Sequence, residues 1–200
     1  MLVPTSHQYF RFYKPYGYIS QMLSNDVRQA RKKKFLGDLY DFPKGVMAVG
    51  RLDEKSEGLL LLTTDGKWSD FINRSGIEKE YYAQVDGPIN QQAIDQMARG
   101  VSIGINGQKY RTRPCEVSLV QQPPVFHDRG KKIRDARHGP APWIRIVITE
   151  GKFRQIRKMT SAVGYPTLRL IRVRVGPYTL NDLPYGGTVP IQGDAIISRT

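Results

Sequence analysis

Apolar and polar positions alternate over short stretches through most of the chain, and helical spacing recurs in only a few places. Residues 9–12 alternate and are rich in aromatics, which predicts a strand ending at the turn Lys14-Pro15-Tyr16-Gly17. Residues 46–49 predict a short strand running into Gly50-Arg51-Leu52-Asp53. Residues 59–63 are apolar on both faces, as in a strand buried within a sheet, and the turn pair Asp65-Gly66 closes them. Residues 67–74 read as helical and 79–85 as a strand. Residues 91–99 predict a helix with Ala93, Ile94 and Met97 on one face, stopped by Gly100. Further strands are expected within 101–120, a β-branched strand at 144–149 and a helix at 152–163 with Ile156, Met159 and Val163 on one face. In 168–175 Leu168, Leu170, Val173 and Val175 alternate with arginines, the pattern of a strand. Residues 1–8 look like a loose tail, and 121–142, rich in proline, glycine and basic side chains, read as a long loop. Many strands with few helices, and no βαβ rhythm, predict an α+β fold with a mixed, mostly antiparallel sheet.

Charge narrows the partners. Lys and Arg outnumber Asp and Glu by 31 to 18 in 200 residues, a formal net charge of +13. Such a field attracts polyanions, of which RNA is the commonest in the cell. A membrane surface competes for that role, but no basic amphipathic helix is visible and no run approaches the roughly 20 apolar residues that span a bilayer. The basic side chains cluster twice, at Arg28, Arg31, Lys32, Lys33 and Lys34, and at Arg129, Lys131, Lys132, Arg134 and Arg137. Either cluster could hold phosphates, or could be a solvated run that keeps the protein soluble. Cys115 is the single cysteine and cannot form an internal disulfide, while His7, His127 and His138 are too scattered for a local metal site. The amino terminus lacks a signal-peptide pattern, so the cytoplasm is the default expectation.

Residues 50–66, GRLDEKSEGLLLLTTDG, carry the most chemical information. Asp53 stands where a strand gives way to a polar loop, and Gly58 lets the chain turn back into the apolar strand. A carboxylate held at the end of a buried strand is well placed for an aimed role. Arg51 would share its side if the strand continued through 53. The plain alternative is a turn former or a helix cap.

This segment resembles the active-site motif of the pseudouridine synthases, in which Gly-Arg-Leu-Asp precedes Gly-Leu-Leu and Thr-x-Asp-Gly. Three further segments agree in order: Lys14-Pro15-Tyr16-Gly17, Lys79-Glu80-Tyr81, and Glu150 through Met159 followed by Leu168-Arg169-Leu170-Ile171-Arg172. Gln155-Ile156-Arg157-Lys158-Met159 is similar to the branch that modifies single uridines of ribosomal RNA. Ser56 stands where Thr is common and Thr64 where Asn is common, and Phe153 falls where the residue varies. The resemblance implies that family's catalytic fold, a curved sheet with flanking helices and an active-site cleft between two lobes. It implies one catalytic domain over 9–192, tails at 1–8 and 193–200, and no separate N-terminal RNA-binding domain, since only about eight residues precede the first motif.

The resemblance also assigns roles. Asp53 would act as an ionised carboxylate on the ribose, attacking it or assisting elimination. Burial alone would neutralise that carboxylate, so a cation is needed, and Arg157 matches the family's arginine; otherwise it reads as a solvated helix residue. Tyr81 would stack on the uracil, with ordinary core packing as the alternative and Tyr82 as a competitor. Ile156 would pack against the base, or simply in the core. Arg51 would fill the space left by an extruded nucleotide or hold a phosphate. Lys14 is expected either at the substrate or in support of the Tyr81 or Asp53 region. Arg28, Arg31, Lys33, Lys131, Lys132 and Arg134 would bind RNA. Because the reaction rearranges a nucleotide without changing redox state or composition, no cofactor and no metal are expected. The expected partner is ribosomal RNA, of the large subunit above all, and the expected state is a monomer. A catalytically silent RNA-binding module would have no need of an ionised Asp53 facing a polyanion. A nuclease would need a carboxylate cluster or paired histidines, and the sequence shows neither pattern.

Overall fold

A computed structural model describes residues 6–122, 124–134 and 136–193. Its elements are, in order, β1 (Tyr9–Lys14), α1 (Val27–Lys32), β2 (Met47–Val49), β3 (Glu57–Thr63), α2 (Gly66–Arg74), β4 (Lys79–Val85), α3 (Gln91–Ala98), β5 (Ser102–Ile105), β6 (Gln108–Arg111), β7 (Glu116–Val120), β8 (Trp143–Ile148), α4 (Gln155–Ala162), β9 (Thr167–Val175), β10 (Tyr178–Thr179) and β11 (Thr188–Pro190). They form two compact units, one of Met1–Ile77 with Arg172–Thr200 and one of Glu78–Ile171.

The first unit is built around β3, every residue of which is buried. Strand β1 pairs antiparallel along its whole length, from Tyr9 opposite Thr63 to Lys14 opposite Gly58. Strand β2 also pairs with it, Met47 to Val49 against Thr63 to Leu61, and β11 covers β1. The apolar run of residues 59–62 thus meets neighbours on both faces, each leucine contributing about 1.5–3 kcal/mol by leaving water. On one side Leu60 and Leu62 join Phe12 and Leu36, with Met22, Phe42 and Val46 packed around them. Gly58 has φ of +107°, and a Cβ there would stand 2.2 Å from the Arg172 carbonyl oxygen. Only glycine allows this close approach.

In the second unit β4 pairs antiparallel with β8, and β8 with β7. Arg145 on β8 bridges Glu80 on β4 (2.7 Å) and Glu116 on β7 (2.9 Å), diagonal pairs of opposite charge across three strands, both glutamates standing opposite Val147. Helix α3 buries Ala93, Ile94 and Met97, and the Asn90 side chain caps it by accepting from the Ala93 N–H. Strands β5 and β6 form a hairpin whose turn pair Asn106-Gly107 has both φ positive, the geometry that matches strand twist. The 121–142 loop is anchored by Phe126, 5.7 Å from the Tyr82 ring and 5.2 Å from that of Trp143.

The observed fold is the expected α+β arrangement with an antiparallel majority. Four details differ from expectation. Helix α1 forms within the basic cluster, where Asp26 Oδ1 accepts from the N–H groups of Arg28 and Gln29. Helix α4 begins at Gln155 rather than 152, because Arg154 adopts a left-handed φ of +54°. Gln8 and Gly193 are not loose: the Gln8 N–H donates to Thr64 Oγ1, and the Trp68 indole N–H donates to the Gly193 carbonyl. The rest of the expected tails, residues 1–5 and 194–200, lies outside the described residues. Strands β10 and β11 are too short to show a period in the sequence.

Candidate active site

Asp53 lies in the loop between β2 and β3, half-buried. The strand before it stops at Val49, because Gly50 turns with φ of +67° against the Asn73 side chain. Arg51 therefore does not continue a strand with Asp53, as its spacing suggested, but stands exposed on the loop. Beside it a groove of about 540 Å³ is lined by Gln21, Met22, Met47, Arg51 and Asn73 among others.

What holds the Asp53 loop is a set of polar contacts along its length. Ser20 Oγ donates to the Leu52 carbonyl and accepts from the Leu52 N–H, both at 2.9 Å. The Gly17 N–H donates to the Glu54 carbonyl at 2.8 Å, and the Ser56 N–H closes the loop on the Asp53 carbonyl at 3.0 Å. Lys14 Nζ donates to the Ser56 carbonyl at 2.8 Å and to the Pro15 carbonyl at 2.9 Å. The first-motif turn at 14–17 is thus the bracket that carries the Asp53 loop.

Lys14 is fully buried. Its placement at the substrate is therefore corrected: both of these hydrogen bonds lie inside the protein, and the side chain supports the Asp53 loop. Burial pushes its ammonium down to about 7, opposed by the negative charges of Glu57, Asp53 and Glu54 and assisted by the positive Arg172. Glu57 is wholly buried and Arg172 nearly so, the latter donating through Nε to the Leu59 carbonyl at 2.7 Å. Beneath the loop lies a cluster of two cations and one carboxylate, closed off from water. Sequence reading missed Ser20, Glu57 and Arg172. A glutamate opening an otherwise apolar strand was a signal for Glu57; nothing local marked Ser20.

The other expected residues of the first unit are surface cations. Arg28 and Arg31 are exposed on α1, a helix with no buried residue. Lys33 follows that helix and pairs with Glu54 Oε2 at 2.5 Å, linking the basic cluster to the Asp53 loop.

In the second unit Tyr81 and Tyr82 take opposite faces of β4, Tyr81 buried and Tyr82 half-buried against Phe126. That contact accounts for Tyr82 as packing. Ile156 is buried on α4 next to Gln155, one turn from Met159. Arg157, on the same helix, is half-buried and donates to the Thr167 carbonyl at 3.3 Å. Lys131 and Lys132 are exposed in the long loop. Arg134 is not a free cation there: it forms an ion pair with Asp86 and donates to the Pro140 carbonyl at 3.1 Å. Its first role is to fasten the loop to the end of β4. Among the described residues no three His, Cys, Asp or Glu side chains gather as metal ligands do, and no helix is long and apolar enough to cross a membrane.

A family model described as RNA pseudouridylate synthase matches residues 8–162. The chain belongs to that family. Ribosomal large subunit pseudouridine synthase E of Vibrio parahaemolyticus is 38% identical over 183 residues, covering 90% of this chain and 72% of the relative. The protein of the same name from Xanthomonas axonopodis pv. citri is 38% identical over 172 residues, covering 85% and 86%. A solved structure described as a pseudouridylate synthase superposes with a TM-score of 0.74 at 26% identity, over 96% of this chain and 73% of that one. The chain is accordingly a pseudouridine synthase, an RNA uridine isomerase, with its Asp53 loop inside the matched segment.

Proposed function

We propose that this enzyme converts a specific uridine of large-subunit (23S) ribosomal RNA to pseudouridine, with Asp53 as the nucleophile. The bond from ribose C1′ to uracil N1 breaks, the base turns, and C1′ joins C5. The proton displaced from C5 is lost and N1 gains one, so composition and redox state are unchanged. Asp53 acts at the ribose, by attack on C1′ or by assisting elimination of the base. Tyr81 stacks on the uracil, Ile156 packs against it, Arg157 supplies the positive charge that the reaction requires, and Arg51 occupies the gap left by the extruded nucleotide. Phosphates fall to Arg28, Arg31, Lys33, Lys131 and Lys132, a sequence-independent contribution to affinity.

The observation that carries this reading is the bracing of the Asp53 loop. Ser20, Gly17 and Lys14 fix the backbone before and after Asp53 while leaving its side chain only half-buried. A carboxylate that merely capped a turn would need no such bracket. The choice of large-subunit RNA rests on the relatives, whose names place their activity there.

Tritium release from rRNA labelled at uridine C5 tests the reading. Wild type is expected to release tritium from large-subunit RNA, and Asp53→Asn to bind the same RNA without releasing any. Release by the variant would remove Asp53 from the nucleophile's role. Binding without release by wild type, on free rRNA and on precursor subunits alike, would favour a silent binding module or a transfer-RNA substrate.

A further inference from the structure

The segment entering α4 carries a side chain that the chemistry above leaves unused. Phe153 is 67% exposed. The Lys158 ammonium stands 5.0 Å from the centroid of its ring and is fixed there by donating to the Gly104 carbonyl at 2.7 Å. Lys152 and Arg154, its exposed neighbours, complete a cationic rim, with the Lys152 ammonium 4.9 Å from the Tyr110 ring.

The turn beneath the ring is held in place. Glu150 accepts from the Tyr110 hydroxyl at 2.5 Å, the Arg113 N–H at 3.0 Å and Gln155 Nε2 at 2.6 Å. The buried Gln155 in turn accepts the Lys152 N–H at 2.9 Å. Arg154, directly after Phe153, sits in the left-handed region, a conformation that persists in a non-glycine residue when its surroundings enforce it. An aromatic exposed on such a turn is presented rather than tolerated. One side of the ring is backed by an ammonium, and most of the residue faces solvent.

A fixed ring amid cations has the two properties that single-stranded nucleic acid requires, a π-face for a base and positive charge for the backbone. Phe153 also stands two residues before the helix that bears Ile156 and Arg157. Extruding a uridine leaves its neighbours without their stacking partner, and a ring at that place would replace it. Building on the RNA-modifying reading, we propose that Phe153 is the stacking platform for an unpaired base next to the target uridine, with Lys152 and Arg154 on the adjoining phosphates.

Filter binding of an in vitro large-subunit rRNA transcript to wild type and to Phe153→Ala, Phe153→Leu and Phe153→Trp tests this. Because the side chain is exposed, the variants should fold as wild type does. Ala and Leu are expected to weaken binding by about 5- to 100-fold, and Trp to match or exceed wild type. Wild-type affinity in Phe153→Ala overturns the platform, and equal rescue by Leu and Trp reduces it to a plain apolar contact. Tritium release by wild type on the same transcript separates the two claims. Release with unaffected Phe153→Ala binding leaves the function standing and the platform fallen; no release with weakened binding leaves Phe153 an RNA contact but overturns the function, and with it the place beside a target uridine. If wild type does not bind the transcript, both fall.

Discussion

The Asp53 loop and helix α1 belong to the same unit, both bear charged side chains, and they are built in opposite ways. Around Asp53 polar groups are turned inward: Ser20 on Leu52, Gly17 on Glu54, and a buried lysine on Ser56. Helix α1 is six residues long, buries none of them and presents Arg28 and Arg31 to solvent, held locally by its Asp26 cap. The contrast suits the two roles proposed for them. A reacting carboxylate has to be aimed to a fraction of an ångström, which takes hydrogen bonds shielded from water. Phosphate contacts work through charge at several ångströms and tolerate mobile side chains. Lysine illustrates both uses, as an internal strut at Lys14 and as surface charge at Lys33, whose pair with Glu54 joins the two regions.

If the comparison holds, damage to the loop should be severe and damage to the helix mild. Asp53→Asn should lower turnover on the order of a thousandfold or more while retaining RNA affinity, as loss of a covalent nucleophile does. Single-turnover tritium release and filter binding would measure the two quantities.

Lys14→Met should come next, costing about 2–4 kcal/mol in denaturant unfolding, because the Ser56 and Pro15 carbonyls stay buried without their shared donor. Its pH dependence carries a sign. The unfolded chain holds the Lys14 proton up to the ordinary lysine value of 10.5, whereas the folded protein releases it at about 7. Between those values the unfolded state binds more protons, so this group makes stability rise with pH, and its cost is greatest below about 7. Lys14→Met should remove that rise, and identical slopes for variant and wild type from pH 7.5 to 10 would contradict the buried ammonium.

Ser20→Ala should be smaller, about 1–3 kcal/mol in stability because the Leu52 N–H and carbonyl lose their shared partner. A roughly tenfold or larger drop in turnover, from a loosened Asp53, should accompany it. Unchanged turnover at reduced stability would make Ser20 purely structural. The mildest effect is expected from Arg28→Ala combined with Arg31→Ala, with unfolding free energy within about 0.5 kcal/mol of wild type. The slope of log affinity against log salt should flatten by about 2. An unflattened slope would make α1 a solubility device and break the comparison from its milder side.

The two regions also differed in how far they could be read. Residues 50–66 announced their strand and turn, since a run of leucines bounded by glycines allows few alternatives, and the resemblance carried by those residues pointed to Asp53. Strand β4 was read at its observed bounds of Lys79–Val85. Tyr81 and Tyr82 could not be separated until Phe126, more than forty residues on, was seen against Tyr82. Arg134 looked like one more solvated cation, and only folding brought Asp86 to it. The start of α4 was misplaced by three residues because no local rule predicts a left-handed arginine.

By itself, then, the sequence determined the elements whose periods outweigh their surroundings, the basic charge that suits a polyanion, and the segment that bears the carboxylate. Each of these is a local or summed property of the chain. Tertiary structure alone decided that Lys14 is a buried strut, that Ser20 bridges Leu52, and that Glu57 shares its burial with Arg172. Those roles depend on desolvation and on partners up to 158 positions apart for Lys14 and Arg172 (172 − 14). Burial and proximity of that kind exist only once the strands have paired.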